Sequence, residues 1–239
     1  NGGRVALDST GGRALAVAIQ SVQVGALTEE RILVGGSAKD GPLQSDDEDF
    51  AVMRFTPAGI IDSTFGPTGS GSVLTQFCSE QDRVFGLALD AVGNIVAGGY
   101  AIFNGAYSFA VARYSPNGVS DASFGDPDSG TNQPGRTIVS LMALNSTGYG
   151  LLLQSDGKIV VTGTAEDPSG RDYFGLVRFN ADGTLDTSFG YGGVAVTDFG
   201  PGKSSGVKGA IQSDGKIVLV GTVDTNGTGY NFGVARYWH

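Results

Sequence analysis

The sequence predicts an all-β fold, a four-bladed β-propeller of four-stranded antiparallel blades. Three observations predict it: an apolar, β-branched run that recurs four times, abundant glycine, and a repeating unit divided between the two ends. The run reads "RILVGG" at 31–36, "NIVAGG" at 94–99, "KIVVTG" at 158–163 and "KIVLVG" at 216–221. Recurrence at a period of about 60 residues marks stacked supersecondary units. The 40 glycines among 239 residues argue against long helices, because glycine is costly in a helix interior and useful in tight turns.

Each unit adds three further runs to this one. The first precedes it, as "ALAVAIQ" (14–20), "VFGLALD" (84–90), "GYGLLLQ" (148–154) and "GVKGAIQ" (206–212). The third carries an arginine: "FAVMRF" (50–55), "FAVARY" (109–114), "FGLVRF" (174–179) and "FGVARY" (232–237). A turn and a fixed phrase follow in three units, "GIIDSTFG" (59–66), "GVSDASFG" (118–125) and "GTLDTSFG" (183–190). The fourth run is then "GSVLTQF" (71–77), "GRTIVSL" (135–141) and "GGVAVTDF" (192–199). Short β-rich runs separated by "SDG", "NADG" and "SPNG" read as strands joined by tight turns. The expected blades are 11–77, 83–141, 148–199, and 205–239 completed by 2–8.

That completion explains the opening "NGGRVALDST". The last unit reaches only its third run, and residues 2–8, "GGRVALD", read as a fourth run. Pairing the N-terminal strand with the C-terminal blade would close the ring. A linear solenoid would leave unpaired edges that invite aggregation. A piece of a longer array, or half of an eight-bladed dimer, are the alternatives.

The phrases "SDGKIVV", "FGLVRFNADGTLDTSFG" and "GGVAVTDFG" resemble the bacterial delta-60 repeat, a tandem propeller-like repeat of secreted and surface-attached proteins. The resemblance covers essentially the whole chain, is strongest from Gly148 onward, and weakens where "QSVQVGALTEER" replaces the compact "QSDGK". It implies the architecture and an extracellular or cell-surface location in a bacterium. It implies no reaction and transfers no catalytic residues.

Residues present in every unit serve the scaffold first. Arg54, Arg113, Arg178 and Arg236 lie in apolar strands and need partners. Asp62, Asp121 and Asp186 follow the first three arginines by eight residues and are the expected partners; a ring of cation-binding aspartates is the alternative. Phe65, Phe124 and Phe189 read as wedges between blades. The Asp-Gly turns lack the acidic ladder and closing glutamate of a calcium loop.

Function is expected where the units differ. The connections 37–49, 100–108, 164–173 and 222–231 vary most and fall on one face of a propeller, where loops on a rigid scaffold carry function. They gather Tyr100, Phe103, Tyr107, Tyr173 and Tyr230 with Asn104, Asp172 and Asp224 as ligand-binding residues. Aromatic rings beside carboxylates and amides suit a sugar, whose apolar face stacks while its hydroxyls are hydrogen-bonded. The acidic "SDDED" gives Asp46, Asp47 and Asp49 as the residues for an oxygen-ligated calcium, though charge runs are more often solvated loop tips.

Composition narrows the classes. The net charge of −9 disfavours nucleic acid and anionic membrane as partners. No apolar run reaches the ~20 residues of a membrane-spanning helix. The single Cys78 excludes an internal disulfide, and the single histidine, His239, gives a catalytic triad only a terminal side chain. No cofactor is expected beyond that calcium. The expected function is a secreted or surface-associated module binding a glycan or surface protein. A carboxylate-based glycosidase or lyase and a structural or adhesive module are the alternatives. A monomer is expected, with a dimer as the alternative.

Overall fold

The computed structural model describes residues 11–39, 48–78, 81–127, 129, 133–141, 145–225 and 229–238. Fifteen strands form four antiparallel sheets among them, and no helix is present there. Blade 1 is β1 (Gly12–Val24), β2 (Leu27–Ala38), β3 (Asp49–Phe55) and β4 (Ser72–Thr75). Blade 2 is β5 (Asp82–Leu89), β6 (Ile95–Phe103), β7 (Ala106–Tyr114) and β8 (Arg136–Val139). Blade 3 is β9 (Ser146–Leu153), β10 (Ile159–Glu166), β11 (Asp172–Phe179) and β12 (Val194–Thr197). Blade 4 is β13 (Ser204–Ile211), β14 (Ile217–Val223) and β15 (Asn231–Tyr237). The expected fourth strand of this blade, residues 2–8, lies outside the described residues, as do Asp46, Asp47 and His239.

The turns follow from local chemistry. Asn104 and Gly105 both have positive φ, 53° and 77°, which a two-residue hairpin matching strand twist requires. In "SDG" the Asp156 carboxylate accepts the amide of Lys158, so that aspartate serves its own turn.

The blades stack face to face, the second and third strands of each covering the first strand of the next. Strands β6, β7, β10 and β11 are therefore buried on both faces, which is why their sequences are apolar at nearly every position. Phe50, Phe109 and Phe174 open the third strands and are fully buried, each stabilising by about 1.5–3 kcal/mol. Phe50 meets Phe77 edge-on at 4.7 Å, and Phe174 meets Phe199 likewise.

The repeated polar residues fasten one blade to the next. Arg54 Nε donates to Asp62 Oδ2 at 2.9 Å, Arg113 to Asp121 at 2.8 Å and Arg178 to Asp186 at 2.7 Å. The remaining guanidinium groups reach onward: Arg54 Nη1 donates to the Pro116 carbonyl and Arg113 Nη1 to that of Ala181. The amides of Gly66 and Gly125 bond the same turns at Asn117 and Asp182. Each arginine also lies over the phenylalanine of its phrase, Phe65, Phe124 or Phe189, at 4.4–4.8 Å. Phe65 and Phe124 in turn cover Gly118 and Gly183 of the following blade, where any Cβ would fall within 2.7 Å of the ring. Arg236 differs from the other three, being exposed.

The four innermost strands line a narrow central channel of about 280 Å³. Lys208 of β13 crosses it to donate to the Phe85 carbonyl of β5 at 2.9 Å. That crossing places blades 2 and 4 opposite one another at about the reach of one lysine.

Candidate functional site

Every innermost strand is interrupted near its start by a register shift against its neighbour. The shifts lie between Ala14 and Ala16, Val84 and Gly86, Gly148 and Gly150, and Gly206 and Lys208. Each leaves one extra residue, respectively Leu15, Phe85, Tyr149 and Val207. A bulge of this kind re-aims a side chain, and of the four extra residues Leu15 and Phe85 line the channel. The connections between second and third strands, and those between blades, lie at this same end of the sheets.

Two bulges carry aromatic rings, and the second blade extends them. Phe85 meets Tyr149 edge-on at 5.3 Å and Tyr100 at 5.8 Å, while Tyr100 meets Tyr107 edge-on at 5.0 Å. The result is a continuous four-ring cluster across blades 2 and 3. Tyr100 is its buried member, and burial raises its phenol above the ordinary range. Phe85, Tyr107 and Tyr149 are half-buried.

Polar side chains frame the cluster. Glu48 accepts from Ser37 Oγ and from Arg83 Nε, both at 2.8 Å. Burial opposes ionisation of Glu48, but these two donors hold its carboxyl below the usual range. Asn145 accepts the Tyr107 amide at 3.2 Å and donates to Glu166 at 2.8 Å, joining blade 2 to blade 3.

The sequence-expected residues divide into two groups. Tyr100 and Tyr107 belong to the four-ring cluster. Phe103 is half-buried against the core between blades 1 and 2, and Asn104 is the exposed hairpin residue described above. The second group lies toward blade 4. Tyr173 donates its hydroxyl to Asp167 at 2.8 Å, with Arg171 over its ring at 4.9 Å. Asp172 pairs with Lys203 at 3.2 Å, and the Asp224 amide donates to the Lys203 carbonyl at 2.9 Å. Tyr230 is exposed and adds to the field at Lys203. Phe85, Tyr149 and Lys208 were not among the expected residues. Glycines beside them in "VFG" and "GYG" are the available signal, since a glycine inside a strand often marks a bulge.

Of the expected calcium residues, only Asp49 lies among the described ones. It is buried beside Asp82, also buried, whose carboxyl burial pushes up to about 8 despite the Phe77 amide that it accepts at 2.7 Å. No group of three or more metal-ligating side chains occurs among the described residues.

A family model described as a domain of unknown function (DUF5122) beta-propeller matches residues 31–65, 93–124, 154–189 and 212–238, more than half of the chain. Its four segments fall one to a blade, each beginning beside the second strand. A search of curated proteins finds no match.

Proposed function

From a chain that belongs to the DUF5122 beta-propeller family, we propose a secreted or surface-associated binding module that takes a glycan at the aromatic cluster shared by blades 2 and 3. The observation that carries this reading is the Phe85–Tyr100–Tyr107–Tyr149 cluster, three of whose residues are only partly buried beside Arg83, Glu48 and Asn145. Rings of this kind stack on the apolar face of a pyranose, and a nearby carboxylate, guanidinium and amide supply acceptors and donors for its hydroxyls. The rings sit on strands rather than on loops, so the surface is pre-organised and ligand binding orders little. Export rests on the resemblance of the repeat, and a net charge of −9 suits a partner that is not itself anionic.

A second reading, an adhesive or structural module, is favoured by the exposed Phe232, Val234 and Val220 on one face of blade 4. For carboxylate-based hydrolysis, the close acidic pair Asp49 and Asp82 is buried and offers no open cleft.

The test is a glycan array probed with the intact chain, once with calcium and once with EDTA. Selective binding that survives EDTA is expected, because Glu48 and Asn145 are held by protein donors and acceptors. No binding under either condition would overturn the glycan reading and leave the adhesive one.

A further inference from the structure

The third residue of the innermost run is small in three blades and a lysine in the fourth: Ala16, Gly86, Gly150 and Lys208, all four lining the channel. Each pairs in register with one position of the second strand, where Gly35 and Gly98 give way to Thr162 and Val220. Blades 3 and 4 therefore place two polar side chains, Thr162 and Lys208, at a level where blades 1 and 2 have none.

Both are incompletely satisfied. Lys208 is the one charged side chain among the described residues lining the channel. Its Nζ donates to the Phe85 carbonyl at 2.9 Å, which uses one of its three protons. Desolvation alone lowers the amine, and no carboxylate among the described residues stands near enough to raise it again. Thr162 is 0% exposed, and its Oγ1 has no hydrogen-bond partner among the described residues. A buried hydroxyl left in that state is unfavourable. Gly150 lies between the two. A Cβ there would stand 2.5 Å from Thr162 Oγ1 and 3.6 Å from Lys208 Cδ. The absent side chain thus leaves the hydroxyl and the lysine stem facing one niche in the channel wall.

We propose that this niche, bounded by Lys208, Thr162 and Gly150, binds a small carboxylate anion.

The donors set the sign of the ligand's charge. An ammonium and a hydroxyl both offer protons, and the ammonium already holds the Phe85 carbonyl that a cation would use. The innermost strands are the edges of their sheets, so some of their amides point into the channel as further donors. A single positive charge selects a monoanion, because a dianion would bring one charge with no partner into a confined site. A carboxylate supplies two acceptor oxygens, one for each donor, and its bond to an ammonium is charge-assisted. The channel, at about 280 Å³, has room for a small acid. The chain's charge of −9 does not oppose this, since no acidic side chain lines the channel and charges beyond about 10 Å are screened. Two sources present this group, a free acid and the acid group of a sugar, and the niche reads the carboxylate in either. Nothing in the site requires the glycan reading.

The test is an amide NMR titration of the full chain near neutral pH, with sodium acetate, glucuronate, chloride and phosphate in separate experiments. Acetate is expected to give saturating shifts at Gly86, Gly150, Thr162 and Lys208. The same shifts at lower glucuronate concentration would support a sugar acid as the source; shifts with acetate and none with glucuronate would support a free acid. Lys208→Met is expected to weaken acetate about tenfold or more. Thr162→Val keeps the side-chain volume and removes the orphaned hydroxyl. It is expected to weaken acetate about threefold while melting, without acetate, at or above the wild-type temperature. A purely structural hydroxyl would instead lower the melting temperature and leave the affinity unchanged. No saturating shift at these four amides, or wild-type affinity in both variants, would overturn the site. Chloride or phosphate saturating it at the concentration acetate needs, or below, would overturn the carboxylate.

Discussion

Asp62 and Asp82 are both buried carboxyls in neighbouring blades, yet their surroundings push them in opposite directions. Burial raises Asp62, but the Thr64 hydroxyl and amide and the Arg54 guanidinium outweigh it and hold the group at about 2. At Asp82 burial wins: its Oδ1 has no hydrogen-bond partner, Asp49 stands nearby, and the group rises to about 8. Between roughly pH 4 and pH 8 the folded chain therefore holds a proton at Asp82 that the unfolded chain has lost. Stability contributed by this residue falls as pH rises through that window, by at most about 1.4 kcal/mol per pH unit. Asp82→Asn keeps an acceptor for the Phe77 amide and removes the titration. Its melting temperature, relative to wild type, is expected to climb between pH 5 and pH 8.5; a pH-independent difference would contradict the protonated Asp82. The arginine–aspartate spacing of eight was visible in the sequence. The carbonyls of Pro116 and Ala181 that complete the arginines were not, because they belong to the next blade and carry no side-chain signature.

Strands were legible from their apolar runs, since a sheet covered on both faces needs apolar residues throughout. Bulges were not legible, because a bulge is a register relation between two strands and each strand's own pattern hides it. Phe85 and Tyr149 are therefore hidden in the sequence, while Tyr100 and Tyr107, on a variable connection, are visible there. Glycines at blade contacts show the same limit. Gly148 lies where a Cβ would come within 2.2 Å of the Gly99 carbonyl, so blades 2 and 3 meet there backbone to backbone. Gly148→Ala must push the two blades apart and is expected to cost about 1–3 kcal/mol, read as a fall in the denaturant midpoint. An unchanged midpoint would mean that the blades are not in contact at that level.

At the scale of the whole molecule, the repeat foretold four blades, and their order around the channel follows from chain order. The position of the proposed binding surface did not follow, because its rings come from two blades, two of them at bulges, and meet only once the blades stack. The same stacking separates the expected residues, leaving Tyr107 in the four-ring cluster and Tyr230 exposed on blade 4. This separation decides the function most directly. The measurement is the affinity of wild type, Tyr149→Ala and Tyr230→Ala for the glycan best retained on the array. A site at the four-ring cluster predicts about a tenfold or greater loss for Tyr149→Ala, corresponding to the ~1.4 kcal/mol or more of one stacked ring, with Tyr230→Ala close to wild type. Loss confined to Tyr230→Ala would contradict the site and move binding to the edge of blade 4.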